Sequence, residues 1–142
     1  MLSLRILVWN VGGLNASARQ SVVSDVIRDH HVSVVCFQES KFQAVTPTLI
    51  SQCCGPKFSS FLAVPSVGAS GGLILAWDDD VVQIVEVATS QHFILATCTC
   101  RAIGQSWVLC NVYGPQGAPA KLNFLSELNT AVSALQAPLV IL

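Results

Sequence analysis

The sequence predicts an α/β domain built on a mixed sheet with flanking helices, and three observations carry that expectation. Short apolar runs of strand length alternate with Gly, Pro and Asp breaks, in a chain of 142 residues that is 52% hydrophobic and 11% charged. An amphipathic helical stretch lies between two early strand-like runs, the arrangement of a right-handed crossover between parallel strands. Later runs follow one another across short turn-rich links, which points to antiparallel pairing.

Residues 4–11 are rich in β-formers and end at Gly12-Gly13, so they read as the first strand. Ser17-x-x-Gln20 has the form of a capping box, and Val22, Val23, Val26 and Ile27 then share one helical stripe. His30-His31 close that helix, where a cationic side chain suits the negative end of the macrodipole. Residues 32–38 form a continuous apolar strand. Residues 46–52 read as a short helix, with Pro47 suited to its first turn. From residue 58 the chain becomes β-dominated, with strands expected at 58–64, 72–77, 81–88, 93–101 and 107–112. The links Gly68-Ala69-Ser70-Gly71, Asp78-Asp79-Asp80 and Ala102-Ile103-Gly104-Gln105 read as hairpin turns. Residues 119–135 return to a helical period that sets Leu122, Leu125, Leu128, Val132 and Leu135 on one face.

A last strand starts after Pro138 and runs to Leu142 with no turn, cap or polar tail behind it. Such a strand needs neighbours, so a finished domain rarely ends on one. The expectation is a single incomplete domain over residues 1–142.

Composition excludes several classes. No apolar run approaches the roughly 18–20 residues of a spanning helix, so no membrane partner is expected. Asn10, Gly12 and Gly13 interrupt any signal-peptide core near the N-terminus, which argues against secretion. The six cysteines include no C-x-x-C pair, and four of them (Cys36, Cys98, Cys100, Cys110) sit inside strand-like runs, as small hydrophobes do. Reduced thiols suit an intracellular compartment. A net charge of −1 leaves no electrostatic footprint for nucleic acid, which argues against strong DNA binding by this chain alone.

Three polar residues stand at predicted strand ends: Asn10, Glu39 and Tyr113. Taken singly, each has a plain explanation, as a turn residue, a solvated strand terminus or a strand exit. Their coincidence changes the weighing. An amide, a carboxylate and a phenol at the carboxyl ends of strands are the groups an Mg²⁺ and phosphate site would use. Asp78-Asp79-Asp80 has no calcium-loop spacing, and the glycine-rich Gly68–Gly72 stretch precedes a strand and lacks a P-loop lysine. His30, His31 and His92 fall in no recognisable catalytic pattern.

The order LRILVWNVGGLN, VSVVCFQESK, SGGLILAW, VLCNVYGP, APLVIL resembles the endonuclease/exonuclease/phosphatase superfamily, and most closely the endonuclease domains of plant-type non-LTR retrotransposons. The resemblance implies a portion of a two-sheet α/β sandwich and hydrolysis of a phosphodiester assisted by Mg²⁺. It implies that Glu39 ligates the metal, that Asn10 supports the metal-bound phosphate and that Tyr113 hydrogen-bonds a phosphate oxygen. For the complete domain it implies DNA as partner and an intracellular site of action, the nucleus included. The family's later Gly-Asp-x-Asn and Ser-Asp-His motifs have no counterpart in residues 1–142, and Gly12 stands where a polar or basic residue is common. The expected outcome is therefore a fragment inactive alone, with Mg²⁺ weakly held or absent. Competing readings are a phosphoinositide or sphingolipid phosphodiesterase of the same superfamily, or a non-catalytic relic that binds a partner or itself through exposed apolar surface.

Overall fold

The computed structural model describes residues 4–135 and 138–142. In chain order the elements are β1 (Ile6–Asn10), α1 (Ser17–Asp29), β2 (Val34–Gln38), α2 (Pro47–Cys54), β3 (Ser60–Val64), β4 (Leu73–Trp77), β5 (Val82–Thr89), β6 (Phe93–Cys100), β7 (Ser106–Val112), α3 (Ala118–Ser133) and β8 (Leu139–Ile141). They build two four-stranded sheets, ordered β1-β2-β4-β3 and β5-β6-β7-β8. The α1 crossover makes β1 and β2 parallel, with Ile6 opposite Val34 and Asn10 opposite Gln38. The next pairings, β2–β4, β3–β4, β5–β6 and β6–β7, are antiparallel, and β8 returns parallel to β7.

Period-2 alternation explains the layering. On β2, Val35 and Phe37 face α1 and α2, while Val34 and Cys36 face the second sheet. On β7, Leu109 faces the first sheet, while Val108 and Cys110 lie under α3. The result is helix, sheet, sheet, helix. β2 and β4 are buried along their whole length, which is why they read as unbroken apolar runs. Truncating a side chain such as fully buried Phe37 to Ala costs about 3–5 kcal/mol.

Four local expectations need correction. Ala16, not Ser17, is the N-cap of α1 and makes no side-chain cap bond. Ser17 is thereby the first helical residue and Gln20 instead donates to Leu14 O at 2.7 Å, so no capping box forms. Within α1, Val23 and Ile27 are buried but Val22 is 55% exposed. The Asp78–Asp80 link is not a hairpin. It carries the chain from β4 in one sheet to β5 in the other, although its chemistry is that of a turn: Asp80 N–H donates to Asp78 Oδ1 at 3.0 Å. Finally, α3 buries Phe124 and Leu128 and packs Ala131, Val132 and Leu135 on the sheet, leaving Leu122 and Leu125 in solvent. By contrast α2 starts as expected, with Pro47 in its first turn and Thr46 Oγ1 accepting from Leu49 N–H at 3.2 Å. All six cysteines are free, and no helix among the described residues is long and apolar enough to cross a membrane.

Candidate active site

The carboxyl end of β2 continues into a loop held from both sides. Gly13 N–H donates to Glu39 O at 2.7 Å and Leu14 N–H to Ser40 O at 3.0 Å, extending the β1–β2 pairing. On the other side Ser40 N–H donates to Gly72 O at 3.2 Å and Lys41 N–H to Gly71 O at 3.0 Å. These bonds hold Glu39 at φ +54° and Lys41 at φ +61°, left-handed conformations that non-glycine residues adopt only under such constraint. Gly72 is required here. Its φ is +98°, and a Cβ would run into Ser40 Oγ and lie 3.1 Å from Lys41 N. The glycine-rich stretch thus serves by close backbone approach, supporting the Glu39 loop. Nearby, the Arg19 guanidinium donates to the carbonyls of Val11 and Gly12 at 2.9 Å, fixing the loop that leaves β1.

Tyr113 follows β7, in the other sheet. Its N–H donates to His92 O at 2.9 Å, and its phenol donates across the sheets to Glu39 Oε1 at 2.8 Å. That hydrogen bond, together with desolvation and the carboxylate's negative charge, raises the Tyr113 pKa above the ordinary phenol value. Beneath this contact lies a buried pair of amides. Gln38 Nε2 donates to Asn111 Oδ1 at 2.6 Å, and Asn111 Nδ2 donates to Ile74 O at 3.0 Å and Phe37 O at 3.4 Å. Asn111 is 0% and Gln38 6% exposed.

Glu39 and Tyr113 line one pocket of about 360 Å³ together with His92, Ser70 and Gln116. Asn10 lies at the same end of the first sheet, one strand over, but outside that pocket's lining. Its Oδ1 accepts from Gly12 N–H at 3.3 Å, the local turn that its short amide favours. The structure therefore brings together two of the three residues singled out by the sequence. His92 was read from sequence as unremarkable. It enters the pocket because the turn before β6 lies beside the exit of β7, a proximity no local pattern reveals; its ring packs edge-on against Phe124, centroids 5.7 Å apart. Gln38 and Asn111 carried a readable signal, an amide ending one apolar strand and an amide inside another, but nothing in the sequence links the two.

Among the described residues no group of three or more His, Cys, Asp or Glu side chains could hold a metal ion. Glu39 is the one carboxylate lining the pocket. Mg²⁺ is commonly held by one or two carboxylates with water and substrate phosphate completing its shell, so Glu39 meets the lower limit of a fitting donor set.

No protein-family model matches the chain, and no curated protein matches it. Solved structures do. The catalytic domain of Xenopus laevis APE2 superposes with a TM-score of 0.68 at 16% identity, over 96% of this chain and 56% of that one. An endonuclease/exonuclease/phosphatase family protein from Bacteroides thetaiotaomicron gives a TM-score of 0.68 at 11% identity, over 97% of this chain and 60% of that one. The chain has that fold. The endonuclease domain of TRAS1, a telomere-specific non-LTR retrotransposon, also matches, with a TM-score of 0.64 at 14% identity, over 98% of this chain and 57% of that one. The chain thus spans a little over half the length of these structures.

Proposed function

We propose that the chain is the Glu39- and Tyr113-bearing part of a divalent-metal-dependent phosphodiester hydrolase, an endonuclease acting on DNA, and that it is inactive by itself. The observation that supports this most is the meeting of Glu39 and Tyr113 at 2.8 Å across two sheets, at the strand ends of a fold shared with nucleases. In this reading Glu39 holds Mg²⁺ through its carboxylate, weakly, because it is the pocket's one acidic group. When bound, the metal would supply Lewis-acid polarisation of a phosphoryl oxygen.

The chain's own groups do the rest. Tyr113, its pKa raised, stays protonated at neutral pH and is a hydrogen-bond donor. It donates its hydrogen bond to Glu39 in the free protein and to a non-bridging phosphate oxygen once substrate is bound. Asn10 keeps its Nδ2 for the phosphate while Oδ1 anchors the Gly12 turn. With Glu39 already committed, no second carboxylate lines the pocket to take the proton of the attacking water, and losing a general base costs about 10²–10⁴ in rate. The retrotransposon origin rests on the Asn111-Val112-Tyr113-Gly114-Pro115 form and on the helical period of residues 120–135, since TRAS1 is no more similar than APE2. DNA as substrate and six unpaired thiols together suit an intracellular site of action, the nucleus included.

A second reading, a partner-binding or self-associating remnant, is favoured by the edge strand β8, where Val140 is 41% and Ile141 53% exposed. Paramagnetic Mn²⁺ separates the two. The hydrolase reading expects Mn²⁺ to broaden the Tyr113 ring signals of the native chain and to spare those of Glu39→Ala. Equal broadening in both, or none in either, would contradict it.

A further inference from the structure

We infer that Gln38 and Asn111 are positioning residues: their buried amide pair fixes the two sheets against each other at the point where Glu39 meets Tyr113. This deepens the reading above and rests on it. Most of the layer between the sheets is apolar, built from Val34, Cys36, Leu75, Ile94, Ala96 and Leu109. Apolar packing is non-directional and leaves the sheets free to settle in neighbouring offsets. Side-chain hydrogen bonds that reach from a strand of one sheet into the other lie at one end: Gln38 to Asn111, and Asn111 to Phe37 and Ile74, with Tyr113 to Glu39 just beyond; at the opposite end the Arg101 guanidinium holds Asp79 in the exposed link between the sheets.

Burying two amides costs desolvation that their mutual bond only offsets, and apolar groups of the same shape would do as well or better for stability. Stability alone therefore does not account for them, whereas geometry does. Glu39 directly follows Gln38, and Tyr113 lies two residues past Asn111, on the same side of the extended chain. The 2.6 Å amide bond therefore transmits its register to the 2.8 Å phenol–carboxylate bond, which an offset of about 1 Å would break.

Tyr113 is the only tyrosine of the chain, so its selectively labelled ring gives one set of NMR signals that reports on its surroundings at a fixed neutral pH. The test compares the native chain, Glu39→Ala, and the shape-matched double variant Gln38→Met with Asn111→Leu. We expect the double variant to unfold cooperatively, as the native chain does, while its Tyr113 ring shifts move to those of Glu39→Ala. A folded double variant whose ring shifts stay at the native values overturns the inference and leaves the site reading standing. Should it fail to fold, Gln38→Asn keeps the amide but shortens it by one methylene, and the same two outcomes decide. If Glu39→Ala itself leaves the ring shifts unmoved, the Glu39–Tyr113 contact is refuted, and the site reading falls with it.

Discussion

A phenol that donates to a carboxylate holds its proton harder than one in water, and this ties Tyr113 to stability as well as to its proposed role. Its pKa is raised in the folded state, so the contribution is complete below the ordinary tyrosine value of about 10 and is lost as pH climbs through the folded-state value. Burial pushes thiols the same way, Cys98 up to about 12 and Cys53 and Cys110 up to about 11, so they too weaken the fold in alkali. Subtraction removes them. Tyr113→Phe should cost about 1 kcal/mol in urea unfolding at neutral pH, a figure typical of a half-buried hydrogen bond. Above about pH 10 that gap should shrink. A gap that stays constant into alkali would show that the phenol proton is not held by Glu39. At this scale the sequence exposed the residue types and hid the pairing. Glu39 and Tyr113 were visible as strand-end polar groups, but their hydrogen bond spans 74 positions and two sheets, beyond the reach of any local pattern.

Elements were legible where local chemistry decides them. The β1–α1–β2 crossover follows from apolar periodicity, and α2 from Thr46 and Pro47. The Asp78–Asp80 link failed because turn chemistry says that the chain reverses but not which sheet receives it. The α3 face failed because two leucine-bearing stripes share that helix, and the aromatic Phe124 beside Leu128 won the place under it, with Leu125 left 55% exposed. Gly72 shows an element-level constraint hidden in a stretch that looked like a loop. Gly72→Ala should destabilise the protein by about 2–3 kcal/mol, since it combines backbone strain with collision against Ser40 and the Lys41 amide. Gly68→Ala, at φ +61° with open space around it, should cost less, about 1 kcal/mol. Equal melting temperatures for the two variants would contradict the stitched-loop account of Glu39.

At the scale of the molecule, the two sheets and three helices of the described residues make a four-layer sandwich in which Glu39 and Tyr113 line one pocket, and β8 is the last strand of its sheet among those residues, with Val140 and Ile141 exposed. An edge of that kind invites pairing with another chain. Light scattering should therefore show association that grows with concentration and is suppressed by Ile141→Lys; a strictly monomeric native chain would contradict this. The proposal at stake is that Glu39 and Tyr113 form part of a phosphodiesterase site whose pocket holds no second carboxylate. Plasmid nicking in Mg²⁺ tests it most directly, with the purified 142-residue chain beside Glu39→Ala. The account predicts no nicking above the Glu39→Ala background. Robust nicking by the native chain, abolished in Glu39→Ala, would contradict it.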